Sequence, residues 1–93
     1  YYLGMDAYVD YITWDNAVTF VIAAGNNIEG EYTHHPGIAL NAITVGNIGK
    51  DKIIAFDSSC NVNSSLSNRI FKPTIVAPGA SIYINNIACI PVL

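Results

Sequence analysis

Apolar positions along the chain change their rhythm from one stretch to the next. In YYLGMDAYVDYITWDNA, Met5, Tyr8, Val9 and Ile12 recur at helical spacing while Asp6, Asp10 and Asp15 lie mostly off that stripe. This predicts one amphipathic helix over residues 3 to 16, covering one face of a sheet. VTFVIAA, residues 18 to 24, then runs apolar without alternation, as a strand buried on both faces does. The run breaks into Gly25, Asn26, Asn27 and Gly30, and GNNIEGEYTHHPG reads as a loop.

NAITVGNI predicts a second buried strand over residues 42 to 48, GKDK a turn, and IIAF a short third strand. DSSCNVNSSLSN is polar and reads as surface loop, so Ser58, Ser59, Ser64, Ser65 and Ser67 are expected there. KPTIVAPGASIYI returns to short extended pieces around Pro73 and Pro78. Helix followed by buried strand is half of a parallel βαβ unit, so the predicted class is α/β with a mostly parallel sheet and a flanking helix. A sheet apolar on both faces needs two covering layers, yet one convincing helix is present. The domain is therefore expected to be incomplete. Further chain, a second copy by self-association, or an exchanged segment could each supply the missing layer.

Composition sharpens this picture. At 93 residues and 52% hydrophobic, the chain is too short for more than one small domain and too apolar to be disordered, and some of its surface is expected to want a partner. The first residue is Tyr, which suggests a piece of a longer protein. With a net charge of −3, the four cations Lys50, Lys52, Arg69 and Lys72 form no continuous basic face, so nucleic acid is not expected as a ligand. No apolar run approaches the roughly 20 residues that span a bilayer, so no membrane partner is expected either. Cys60 and Cys89 lack CxxC spacing and support neither a zinc site nor a disulfide framework; a bridge and two separate thiols stay open.

The strand end carries the candidate chemistry. Ala23, Ala24 and Gly25 would leave a shallow wall for a substrate chain, and the Asn26 amide offers two hydrogens into the space beyond, suited to a developing oxyanion. The blander reading makes Asn26 a turn residue capping local backbone. His34 and His35 are adjacent in an extended stretch and point to opposite sides, which argues against joint metal binding. Nothing around Cys60 would activate a thiolate. The pairs Asp6 with Asp10 and Glu29 with Glu31 supply no calcium ligand run and read as solvated surface. No GxGxxG accompanies Gly25 to Gly30, so anion gripping by an unrelated doubly wound module is poorly supported.

In these stretches the chain resembles the subtilisin-like serine peptidases, or subtilases. DAYVDYITWDNAVTFVIAAGNNIEG is similar to the family's helix, buried strand and Ala-Ala-Gly-Asn oxyanion segment. HHPGIALNAITVGNI and KPTIVAPGASI are similar to two later segments, in family order. The resemblance implies that Asn26 is the oxyanion-hole residue, that Ala23, Ala24 and Gly25 wall the substrate pocket, that His34 lies near its floor, and that the His35–Pro36 bond is cis. It also implies a peptide or protein substrate for the parent protein. Secretion or cell-surface display is favoured by resemblance alone, as is calcium in the parent; no other cofactor is expected.

The family's Asp-Ser/Thr-Gly, His-Gly-Thr/His and Gly-Thr-Ser motifs do not occur in the chain. The expected identity is thus a segment between the catalytic His and catalytic Ser of a serine endopeptidase, inactive by itself. The alternative is a catalytically inactive subtilase-like domain that binds peptides or proteins.

Overall fold

The computed structural model describes residues 3–26, 33–60, 71–80, 82–84 and 87–89. Its elements are α1 (Gly4–Asn16), β1 (Val21–Ala23), β2 (Ile43–Ile48), β3 (Ile75–Pro78), β4 (Ile82–Ile84) and β5 (Ile87–Cys89). Strands β1, β2 and β3 form a parallel sheet in that order, with Val21 beside Ile43 and Val45 beside Ile75. Strands β4 and β5 pair antiparallel, Tyr83 opposite Ala88. The α/β class and its parallel sheet agree with the sequence reading.

Helix α1 starts where Asp6, in its first turn, accepts a hydrogen bond from the Leu3 backbone N–H at 2.8 Å, one half of a capping box. It ends at Ala17, whose φ of 52° turns the chain through the left-handed region. The face turned inward keeps Val9 and, half-buried, Ile12 of the predicted stripe but not its other members. Met5 and Tyr8 are exposed, whereas Asp6 and Val9 are buried. Asp6 can go inside because it has donors there, and a pattern of apolar positions does not register a distant donor. Val9 packs with Ala39 and Ala42, and Phe20 and Ile22 close over them. This small cluster fixes α1 against the sheet face that carries Ile22.

The opposite face is different. Side chains alternate along a strand, and paired residues in a parallel register share a face, so Val21, Ala23, Ile43, Val45 and Ile75 lie together. Val21 is 67% exposed and Ile75 52%. The expectation that residues 18 to 24 form a strand buried on both faces is corrected accordingly. The strand is three residues long, lies at the sheet edge, and among the described residues no layer covers its outer face. In this sheet β2, flanked on both sides, has the buried and half-buried pattern of a central strand.

The third strand expected at IIAF is also absent as such. Ile54 makes an isolated antiparallel bridge to Ile48 as the chain reverses through Gly49 to Lys52, the predicted turn. Asp51 stabilises that reversal by accepting the Ile53 N–H at 3.0 Å, an Asx-type bond. Because the chain turns back immediately beside the end of β2, there is no length over which a ladder can extend. No described helix is long and apolar enough to cross a membrane.

Candidate functional site

The parallel sheet brings the C-terminal end of β1 beside the middle of β2. Ala24 donates to the Val45 carbonyl at 2.9 Å, continuing the ladder for one residue past β1, and then Gly25 adopts φ 113°. A side chain at that φ would be strained, so glycine is what lets the chain leave the sheet here. Asn26 follows, exposed, outside the carboxyl end of a parallel strand, where open α/β sheets characteristically place their ligands.

Two segments hold this corner. Ala24 O accepts the His34 N–H at 2.9 Å, and Gly25 O accepts the Ser59 N–H at 3.0 Å. The backbone at Gly25 is thus tied on one side to the His34 segment and on the other to the turn after Ile54. There is no space for a methyl group between them. A Cβ built on Gly25 would stand 2.7 Å from His34 Cγ and 3.0 Å from Ser59 Oγ. The His34 ring therefore lies against the Gly25 backbone as a wall of the corner, exposed on its outer side.

Of the residues singled out in the sequence, Ala23, Ala24, Gly25, Asn26 and His34 all meet at this one place. Ala23 and Asn26 are exposed; Ala24 and Gly25 are buried. Behind them, Gly37 N–H closes the His34–Pro36 turn on the His34 carbonyl at 2.7 Å, and Thr44 Oγ1 donates to the Gly37 carbonyl at 2.6 Å. The His35–Pro36 bond is cis, as expected, and so is Lys72–Pro73.

The subtilase (peptidase S8) family model matches residues 4–90, a span that takes in this cluster. The chain belongs to the subtilase family. No solved structure matches it. The family span takes in the helix, the Gly25 corner, the His35–Pro36 turn and the Lys72–Pro73 segment, the same stretches whose order carried the resemblance.

Three features of this subtilase chain were not foreseen. Ser58 and Ser59, expected in a surface loop, are both buried: Ser58 Oγ accepts the Asn47 N–H at 2.9 Å, and Ser59 backs the Gly25 corner. Asp6 and Asp10, expected as solvated surface, both hold other segments. Asp10 accepts Leu40 N–H at 3.0 Å and Asn41 N–H at 2.6 Å, and Asp6 binds His35. Lys72, one of the four cations, is buried and donates to Ala42 O at 2.8 Å. All of these pairings join residues far apart in the chain, and local sequence carries no signal for them.

Among the described residues no group of three His, Cys, Asp or Glu is arranged to hold a metal ion. Glu29 and Glu31, and the side chain of Cys89 that a bridge to Cys60 would need, lie outside the described residues.

Proposed function

We propose that this chain supplies the oxyanion-stabilising donor and part of the substrate pocket of a serine endopeptidase whose Asp, His and Ser lie in other segments of the parent protein. The observation that carries this is the exposed Asn26 set directly beyond the Gly25 turn at the carboxyl end of β1. In peptide hydrolysis the scissile carbonyl oxygen gains negative charge as Ser attacks, with His taking the Ser proton and Asp orienting His. A carboxamide N–H fixed at the rim of a rigid sheet stabilises that charge without reorganising as water must. A neutral donor does so without perturbing the protonation of the neighbouring His. The wall formed by Gly25 and the His34 ring bounds the space for the substrate side chain before the cut.

Asn26→Ala in the full-length protein tests this. Turnover of a peptide substrate should fall with KM little changed, because the donor acts on charge present only in the transition state. The size, about 100- to 1000-fold, is taken over from the corresponding donor of subtilisin itself. Unchanged turnover would exclude the role.

A further inference from the structure

One contact ties helix α1 to the wall of the Asn26 corner. The Asp6 side chain is 0% exposed, with Oδ2 2.6 Å from His35 Nδ1 and 2.8 Å from the Leu3 backbone nitrogen. Its second oxygen, Oδ1, is buried without a hydrogen-bond partner. A carboxylate taken out of water in this way persists only with strong donors, so His35 is held firmly.

His35 is the chain neighbour of His34, and the two side chains leave the backbone in different directions, one toward α1 and the other over Gly25. The His34 backbone is bonded at N–H to Ala24 and at C=O to Gly37. The two residues share one peptide unit, so a displacement of the His35 ring bears on His34 through the backbone between them. What holds His35 therefore bears on the stand-off of His34 from Gly25, where no methyl now fits.

We propose that Asp6 is a positioning residue: by holding the His35 ring it keeps the His34 imidazole closed over Gly25 and so sets the size of the side chain admitted before the scissile bond, an inference that rests on the oxyanion-site reading above. The carboxylate touches no substrate and acts through two neighbouring residues. With the ring held, the wall is closed and small side chains are preferred; with it released, the wall yields to bulky ones.

The test uses the full-length protein and two peptide substrates identical except for Ala or Phe immediately before the cut. The ratio of their kcat/KM values cancels the amount of folded enzyme, so a merely structural loss leaves it fixed. Asp6→Asn and His35→Phe should each shift the ratio toward the Phe substrate by about tenfold, the scale of one altered pocket contact. Asp6→Leu combined with His35→Phe replaces the pair by apolar groups that tolerate burial, and it should shift the ratio by the same amount and not by the sum. An unchanged ratio in the folded single variant, or in the double variant where the single does not fold, overturns the proposal. Asn26→Ala should lower both rates alike and leave the ratio fixed. If it lowers neither, the oxyanion reading falls instead, and the positioning role is then decided by the His34 ring proton resonances in the same Asp6 variants. A shift supports it, and identical resonances overturn it.

Discussion

At Gly25 a single hydrogen atom in place of a side chain does two things. It permits φ 113°, and it lets His34 Cγ and Ser59 Oγ approach to distances no Cβ would allow. Gly25→Ala should therefore cost about 1–3 kcal/mol of stability from the backbone alone, with more from displacing the His34 ring. Denaturant midpoints of the full-length protein measure the sum of the two costs, and kcat/KM corrected for folded fraction reads what displacing the His34 ring does to the corner. A variant as stable and active as the parent would mean that the corner is looser than its distances indicate. The Gly25–Asn26 step was legible in the sequence because a strand ending in small residues before an amide is a local pattern. Asp6 was not. Its partner His35 is 29 positions away, and an acid off the apolar stripe of a helix reads as solvated until a buried donor is found for it.

Between elements, short polar ties do what a larger apolar interface would do elsewhere. Asp10 on α1 receives two backbone N–H groups, from Leu40 and Asn41, just before β2 begins. Asp10→Ala should lower stability by about 1–2 kcal/mol, the worth of charge-assisted bonds at a partly exposed site, and Asp10→Asn should recover part of it. At the other end of the helix, Ala17 occupies a left-handed position that glycine takes without steric cost. Ala17→Gly should raise the unfolding free energy by about 0.5–1 kcal/mol, since the relief of strain exceeds the added freedom of the unfolded chain; thermal or denaturant unfolding reads it directly. Helix α1 and strand β2 were readable because each carries a long, consistent run. The edge strand was misread because consecutive apolar residues announce two buried faces whether or not both covering layers exist. IIAF was misread because its extended propensity loses to a chain reversal that leaves it beside the end of β2 with a single bridge.

Across the molecule, among the described residues, the consequence of a sheet face without a covering layer is that few apolar side chains are fully enclosed. Val9, Ala24, Ile38, Ala39 and Ala42 are the buried hydrophobic residues among those described. Buried polar groups then weigh heavily in the balance, and Lys72, among the described residues, carries a pH signature. Its ammonium donates to Ala42 O and Thr74 Oγ1, yet burial pushes its pKa below the ordinary 10.5, with Asp10 pulling it partly back. The unfolded chain therefore binds this proton more tightly than the folded one. Its burial penalty is fully present at neutral pH, and the unfolding free energy gains a positive slope with pH between the lowered value and 10.5. Lys72→Met should remove that slope. It should not orphan the Ala42 carbonyl, which also lies 3.5 Å from Thr74 Oγ1. Denaturant unfolding of the full-length protein from neutral pH up to 10.5, with and without the substitution, compares the two curves. A wild-type curve that converges on the Lys72→Met curve as pH rises identifies the buried ammonium as the source, and parallel curves would assign the pH dependence to other groups.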